Sequence, residues 1–419
     1  YFVFLWSYEM FGKAGGLSAL VLFTFCPDII AHSGLATSDL SVSFFFYMTM
    51  WRFWKYLRKQ SVKNMVLTSV TAGMAFLSKF SAILIFPTLL LIVTFSGSWK
   101  KISIGRISMF VAICLFTIWA GYGFEMKPLL ENTPDPPKKI EVYRRLGGDG
   151  LVRFASETPV PLSTFVSAFG SMMFTRAKGT NAFFMGEWSH GNKSFWPYYF
   201  VAFAIKNTIP FLILTLLSLL MIKAMHLDAV TRAAILTPAV LLFLVTMGDK
   251  AQAGIRYFLP IYPLLFILFV GFAAWAWSKK KIIRWVVVAL LVWHVFEAVH
   301  IYPDHLAYFN ELIGGPDQGY RYLRDSNIDW GQDLKGAAEW ARGQNHTDIA
   351  IRSISPVDMK KAYGMNWRLL RSAENDVPGP YVYVLGVHDI GSTAWTQHTK
   401  PTKIIGHSVW VYDFTKKGV

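Results

Sequence analysis

An aspartate and three cationic side chains stand at the edges of long apolar runs. Asp39 follows a short polar turn that begins at Pro27, and Lys79 separates two apolar runs. Lys206 and Arg256 lie near the ends of two later runs. A charge beside or inside a membrane segment is costly to desolvate, so it needs a partner and often marks a functional site. Cations of this kind bind phosphate and a carboxylate accepts a proton from a nucleophile, so the pattern favours chemistry on a phosphate-linked substrate at a membrane.

Each of these side chains also has a purely structural interpretation. Asp39 and the preceding Ser38 are both good N-cap residues for the helix that follows. Lys79 could extend its ammonium to the membrane interface without binding anything. Arg256 and its neighbour Tyr257 could anchor a helix end in the interfacial belt of a membrane protein. The residues alone leave the structural and the functional interpretations open.

A long polar stretch holds two further candidates. Glu187 and His190 are three residues apart, so on a helix they would share a face and could hold a divalent metal ion or a sugar hydroxyl. One carboxylate with one histidine is at most half of a metal site. A divalent metal ion is therefore the one candidate cofactor. His32, in the turn before Asp39, is a further candidate ligand for a sugar or a phosphate.

The composition indicates that these residues are positioned by membrane helices. The chain has 419 residues, of which 53% are hydrophobic and 16% charged, with a mean hydropathy of +0.36. A soluble domain carries about 25% charged residues. Apolar runs of roughly twenty residues predict membrane spans. They lie at about 16–27, 37–54, 64–78, 80–97, 107–124, 196–222, 232–248, 257–277 and 283–301.

The basic residues predict how these spans are oriented. Lys and Arg cluster in the loops 55–63, 100–106, 223–232 and 279–284, which share one side if every span crosses the membrane. Such loops are typical of the cytoplasmic side. The Asp39 turn and every other polar candidate then lie on the extracytoplasmic side. Because the net charge of +15 comes largely from these loops, nucleic acid is not an expected partner.

The chain is predicted to be an α-helical polytopic membrane protein with a small C-terminal extracytoplasmic α/β domain. Residues 1–301 form the transmembrane domain, whose first helix is expected to start before Tyr1. They include an extracytoplasmic loop at 125–195, in which 162–174 could form an interfacial helix. Residues 302–419 form the soluble domain. We expect it to contain a helix at 331–342 and strands at 349–354, 381–385 and 409–414.

Four loose motifs in a fixed order carry a family resemblance. They are Phe11-Gly-Lys13 followed by the stretch 27–39, then 73–79, 198–210 and 256–263. In this order the chain resembles the GT-C superfamily of polyprenyl-phosphate-sugar-dependent glycosyltransferases. Within that superfamily it is most similar to the bacterial branch of protein O-mannosyltransferases and aminoarabinose-transferase-like proteins.

The resemblance implies a GT-C-like fold and an inverting transfer of a sugar from a polyprenyl-phosphate donor. The acceptor would be an extracytoplasmic protein, lipid or glycan, and the enzyme would sit among the lipids of the bacterial cytoplasmic membrane. Asp39 would be the second acidic residue of the active site, while the first, the family's usual general base, would precede the residues of this chain. The implied donor-binding residues are Lys79, Lys206, Arg256, Tyr257 and His32, with Glu187 and His190 lining the site.

A second interpretation keeps the same fold without the chemistry. The chain could be a non-catalytic membrane subunit that serves as a scaffold for partners in a larger complex. A transporter fits less well, because transporters place polar groups near the middle of several spans. In this chain the polar candidates gather at one interface.

Overall fold

Long apolar helices and a small C-terminal sheet make up the computed structural model, which describes residues 1–131, 136–189, 191, 193–353 and 357–415. Four of its helices are long and apolar enough to cross a membrane, or up to six if each of two bent pairs is counted as one span. The predicted fold class is thereby confirmed. The chain is an integral membrane protein built mainly from α-helices.

The helices occur in the following order along the chain. They are α1 (Phe2–Thr24), α2 (Pro27–Ser33), α3 (Asp39–Arg58), α4 (Val62–Ser78), α5 (Ile85–Phe95), α6 (Ile104–Gly121), α7 (Pro136–Glu157), α8 (Ser163–Lys178), α9 (Tyr198–Lys206), α10 (Ile209–Leu220), α11 (Ala229–Met247), α12 (Tyr262–Trp277), α13 (Lys281–His300), α14 (Leu334–Gly343) and α15 (Met359–Tyr363). Short 3-10 turns precede α5 at Phe80–Leu84 and α12 at Ile255–Ile261. Of the spans, α12 is buried on nearly all sides and is the central helix of the bundle.

The helix α1 folds back on itself at Gly12. This glycine has φ 71° and ψ −170°, a left-handed conformation that a side chain would disfavour. The ring of Phe4 lies directly against Gly16. A straight helix would hold these two residues about 18 Å apart, so the two limbs must pack side by side. The helix is therefore broken at Gly12.

The stretch 196–222, predicted as one span, is divided into α9 and α10, which are bent by 116°. The bend lies at Asn207 and Thr208. The hydroxyl of Thr208 accepts the backbone N–H of Phe211 at 3.4 Å, and Pro210 occupies the first turn of α10. A capping hydroxyl and an early proline both favour a new helix start at this point. An average of hydropathy over the whole run hides this break.

The C-terminal part is a five-stranded mixed sheet with one long helix against it. Its strands are β5 (Asp348–Arg352), β6 (Asn366–Leu369), β7 (Val382–Gly386), β8 (Lys403–Ile405) and β9 (Val409–Asp413), in the spatial order β6-β5-β7-β9-β8. The pairs of β5 with β6 and β7 are parallel, and those of β9 with β7 and β8 are antiparallel. The helix expected at 331–342 is α14, and three of the strands match the predicted ones, although residue 354 lies outside the described residues.

Two small antiparallel strand pairs belong to the long loop. The strands β1 (Met126–Lys127) and β2 (Val160–Pro161) pair with each other, and so do β3 (Ala182–Phe184) and β4 (Glu187–Ser189). A helix is present where 162–174 was expected to be helical, as α8 (Ser163–Lys178), and its interfacial position stays a prediction.

Polar contacts join three of the four basic loops at one end of the bundle. Arg58 forms an ion pair with Asp228 at 2.8 Å, and the ammonium of Lys101 donates to the carbonyl of Leu57 at 2.8 Å. Asp39 begins the helix that Arg58 ends, so about 28 Å separate the two, close to the thickness of a hydrocarbon core. This arrangement agrees with the expected topology. Which end faces the cytoplasm stays a prediction.

Candidate active site

Three of the candidate residues meet at the end of the bundle that is opposite to the basic loops. The ammonium of Lys79 lies 2.5 Å from Oδ1 of Asp39. Nη1 of Arg256 lies 3.6 Å from Oδ2 of the same carboxylate. Asp39 is only 3% exposed, whereas the two cationic side chains are 25% and 18% exposed. The result is a buried carboxylate whose cations reach partly into solvent.

The lengths of the helices explain why Asp39 and Lys79 meet. The helices α3 and α4 have 20 and 17 residues and are joined by a short turn. The hydroxyl of Ser61 accepts the N–H of Asn64 at 3.2 Å and so caps α4 at its start. Because the helices run antiparallel and have similar lengths, the residue that begins α3 and the residue that follows α4 return to the same level. Arg256 arrives there on the 3-10 turn that precedes α12.

Tyr257 supplies an aromatic face to the same cluster. The distance from its ring centroid is 4.7 Å to Nζ of Lys79, 5.6 Å to Cζ of Arg256 and 5.4 Å to Cζ of Arg176. The negative face of an aromatic ring attracts cations at such distances. Three cations are thus held close together around one ring, beside a single narrow cleft that Asp39 also lines. An anionic ligand would relieve the repulsion between them.

Asp39 is not the N-cap residue of α3 in the structure. The N-cap residue of α3 is Ser38, and its side chain makes no capping hydrogen bond. Asp39 is instead the first residue of the helix, and its carboxylate faces Lys79 and Arg256. Its position at the helix start is still favourable, because a negative charge stabilises that end of the helix dipole.

Lys206 lies in a second, fully buried cluster. Its ammonium donates to the carbonyls of Leu306 at 2.7 Å and Asn327 at 2.8 Å, and it lies 3.9 Å from Oδ1 of Asp28. The other oxygen of Asp28 accepts the hydroxyl of Tyr262 at 2.8 Å. These contacts hold the C-terminal segment against the bundle. Lys206 was expected at the donor, but the structure does not bring it to Asp39.

His32 lies between the two clusters on α2. It is 1% exposed, and neither of its ring nitrogens has a hydrogen-bond partner among the described residues. It is within electrostatic range of Lys206 on one side and of Asp39 on the other. A buried imidazole without a partner is costly, so a bound ligand or a water could be its missing partner.

The helix that was expected to place Glu187 and His190 on one face is not found, because Glu187–Ser189 form a strand. Glu187 is an exposed residue of strand β4, directly after the tight turn at Met185 and Gly186, both of which have positive φ. A hairpin strand does not bring residues three apart onto one face. His190 lies outside the described residues. Within the described part of the chain, no group of three or more His, Cys, Asp and Glu side chains could hold a metal ion, so the divalent metal stays a prediction.

Several residues of the two clusters were not predicted from the sequence. Arg176 lies in the long loop and Asp249 follows α11, far apart in the chain, and nothing in their local sequence signals that they meet. Trp330 stacks on Arg256 from the C-terminal segment, at 5.0 Å from ring centroid to Cζ. Asp28 had a signal that could have been used, because it is a second carboxylate next to an apolar run.

The apolar helices and the charged cluster at one end of their bundle are those of an integral membrane protein. Residues 1–121, which contain Asp39 and Lys79, match the family model described as dolichyl-phosphate-mannose-protein mannosyltransferase. Over these residues, less than a third of its length, the chain is similar to that mannosyltransferase family. No curated protein and no solved structure matches the chain.

Proposed function

We propose that the chain transfers a mannose-type sugar from a polyprenyl-phosphate donor to a hydroxyl of an extracytoplasmic acceptor. The observation that carries the proposal is the convergence of Lys79 and Arg256 on Asp39 in one cleft at one end of the bundle. The match of residues 1–121 to the mannosyltransferase family model supports the same activity. The acceptor is a protein, a lipid or a glycan.

The cations act mainly on the leaving group. The donor is a phosphodiester with one negative charge, and the polyprenyl phosphate that leaves is a monoester that carries more charge. Negative charge therefore builds on the phosphate oxygens as the bond from the sugar carbon to oxygen breaks. Lys79 and Arg256, placed beforehand by Asp39 and Tyr257, bind this developing charge more strongly than the ground state, and such differential binding lowers the barrier.

Asp39 is the carboxylate that faces the reacting groups. The acceptor oxygen attacks the anomeric carbon from the side opposite to the phosphate, so the configuration inverts and the bonding electrons leave with the phosphate. The acceptor hydroxyl loses its proton as it attacks. Oδ1 of Asp39 is engaged by Lys79 at 2.5 Å, whereas Oδ2 is 3.6 Å from Arg256, so Oδ2 is the freer oxygen. We therefore give it the proton, a role that the family resemblance by itself would give to a first acidic residue rather than to Asp39. Tyr257 and His32 are the proposed contacts of the sugar.

The proposed location is the bacterial cytoplasmic membrane, with the cleft on the extracytoplasmic side. The convergence of the basic loops at the opposite end of α3 supports this orientation. The polyprenyl chain of the donor would then lie among the lipids, and its phosphate would enter the cleft at the membrane surface.

The test is sugar transfer by the purified full chain in lipid nanodiscs. Synthetic polyprenyl-phosphate mannose with a radiolabelled sugar is the donor, and extracted cell-envelope proteins, lipids and glycans are offered as separate acceptors. Asp39→Asn should lower the transfer rate by about a hundredfold or more, because it removes the proton acceptor and one partner of both cations. Asp228→Asn is the matched control, since it changes an ion-paired aspartate at the other end of the bundle.

The outcome also separates the enzyme from the scaffold. Label incorporation by the wild type that is lost in Asp39→Asn, with unchanged thermal unfolding, supports the enzyme. Full transfer by Asp39→Asn overturns the assignment of the site. A wild type that is inactive with every acceptor, while it still co-purifies with partner proteins, favours the non-catalytic subunit.

A further inference from the structure

The long loop brings a third cation to the cleft. Arg176 lies in the last turn of α8, and its guanidinium stacks over Tyr257, the ring that Lys79 and Arg256 also approach. Nη2 of Arg176 lies 2.7 Å from Oδ2 of Asp249. Both side chains line the same cleft as Asp39. Arg176 therefore occupies the mouth of the candidate donor site.

The position of Arg176 does not depend on its ion pair. The ring of Phe165 packs against those of Phe76 at 6.1 Å and Phe80 at 5.3 Å, so α8 is fastened to the bundle by aromatic contacts. After the helix ends, the N–H of Thr180 donates to the carbonyl of Lys250 at 3.2 Å. These contacts remain when the side chain of Arg176 or its partner is changed, so substitutions there can be interpreted without loss of the helix.

Asp249 is a fixed carboxylate on the wall of the cleft. Its Oδ1 accepts the backbone N–H of Ala251 at 2.9 Å, and this bond directs Oδ2 towards Arg176. The pair stands partly open, with 32% of the arginine side chain and 13% of the aspartate side chain exposed. A carboxylate and a phosphate present similar oxygen pairs to the planar fork of an arginine. Asp249 thus occupies the position that a phosphate would take on this guanidinium.

The charges of the cleft also favour an anion. Lys79, Arg176 and Arg256 are three cations, and Asp39 and Asp249 are two carboxylates. One unit of positive charge is left over, and a phosphodiester with a single negative charge would balance it. A donor phosphate would then supply the third negative charge for the three cations of the cleft.

We infer that Arg176 is a further donor-binding residue and that Asp249 competes with the donor phosphate for its guanidinium. This inference rests on the proposed function, because it concerns the donor of that reaction. In the absence of donor, Asp249 holds Arg176. When the donor enters, its phosphate takes over one face of the guanidinium and the bond to Asp249 weakens.

The competition predicts opposite effects of two substitutions in the same ion pair. Arg176→Ala should raise the donor KM about tenfold and change kcat less than threefold, because a charge-assisted hydrogen bond to the phosphate is lost. Asp249→Asn should lower the donor KM severalfold, because the competitor has lost its charge. Arg176→Lys should fall between Arg176→Ala and the wild type. Arg153→Ala, an exposed arginine of α7 in the same loop, is the control and should leave KM unchanged.

The measurement is donor titration of the full chain in nanodiscs, with thermal unfolding of each variant alongside. Opposite shifts of KM support the inference. If both variants raise KM to the same extent and both lower the unfolding temperature, the ion pair only stabilises the fold. The inference then fails. If both leave KM unchanged while the wild type transfers sugar, the inference fails and the proposed function stands.

A binding experiment separates the two proposals in the remaining case. Sugar-free polyprenyl phosphate is titrated against the same variants, and binding is followed by tryptophan fluorescence. If the wild type transfers no sugar but the two variants shift the binding constant in opposite directions, the inference about Arg176 stands and the proposed function fails. Equal or absent shifts in this experiment overturn the inference.

Discussion

Asp28 and Asp39 are both buried aspartates with cationic neighbours, yet their surroundings suit different roles. Asp39 faces Lys79 and Arg256, whose side chains are partly exposed and can turn towards a ligand. Asp28 accepts a hydrogen bond from the hydroxyl of Tyr262 and lies next to the ammonium of Lys206. Both Asp28 and Lys206 are buried from solvent. A charge that must exchange partners during a reaction needs access. The accessibility of the cations around Asp39 therefore favours Asp39 over Asp28 for the proposed role.

This distinction predicts how Lys206 behaves. Lys206→Met should lower the free energy of unfolding by about 3–5 kcal/mol, because it leaves Asp28 buried without its cation and two carbonyls without a donor. The double variant Asp28→Asn with Lys206→Met should recover part of this loss. Thermal unfolding in nanodiscs measures the stability, and transfer is compared per folded molecule. If Lys206→Met instead keeps its stability and raises the donor KM, Lys206 is a donor ligand as the sequence resemblance implied.

The pairing of α3 with α4 could be predicted from the sequence, but most of the other pairings in the site could not. Two antiparallel helices of similar length must return Asp39 and Lys79 to the same end. The choice between Lys206 and Arg176 as a further cation depends on where α8 and α9 pack, and hydropathy carries no information on that. The spacing of Glu187 and His190 also led to a wrong prediction of a helix, because Glu187 lies on a strand.

The loop from Asp325 to α14 connects the sheet to the bundle and contains carboxyl groups with shifted pKa values. Asp333 is 9% exposed, and its Oδ2 accepts the hydroxyl of Ser408, which precedes β9, at 2.5 Å. Burial raises the pKa of the Asp333 carboxyl to about 7. Burial likewise raises the pKa of Asp329 to about 6. Both carboxyls therefore bind protons in the folded state at pH values where an unfolded chain has lost them.

These shifts predict that the contribution of Asp329 and Asp333 to the free energy of unfolding falls as the pH rises from about 4 to about 7, whereas burial lowers the pKa of His388 to about 4 and so acts in the opposite direction. The folded state holds the proton of Asp333 over this range and the unfolded state does not, so each pH unit costs up to about 1.4 kcal/mol for that group. Asp333→Asn should reduce the slope, whereas Asp348→Asn, at an exposed position of β5, should not. Thermal unfolding across the pH range is the measurement, and an unchanged slope in Asp333→Asn would contradict the assignment.

The bundle and the C-terminal part share one polar seam. The side chain of Asn327 donates to the hydroxyl of Tyr198 at 2.9 Å and accepts the backbone N–H of Ile255 at 3.0 Å. Asn310 donates to the carbonyls of Ala204 and Asn207, each at 2.7 Å. All of these bonds join the segment after α13 to elements that position the cleft. The C-terminal part is thus hydrogen-bonded to elements next to the candidate site. A domain boundary at residue 302 would separate these contacting segments.

Trp330 carries this continuity into the cleft, because its ring supports the guanidinium of Arg256 at 5.0 Å. Trp330→Ala should therefore raise the donor KM about two- to tenfold, the range expected for a lost cation–π contact, although the residue belongs to the C-terminal part. Trp330→Phe keeps an aromatic face and should stay near the wild type. Donor titration of both variants, with unfolding temperatures measured alongside, decides the matter. Equal losses in both variants would mean that the indole ring matters only for packing. A loss confined to the alanine variant would show that the loop before α14 helps to hold Arg256, the cation proposed to bind the leaving phosphate.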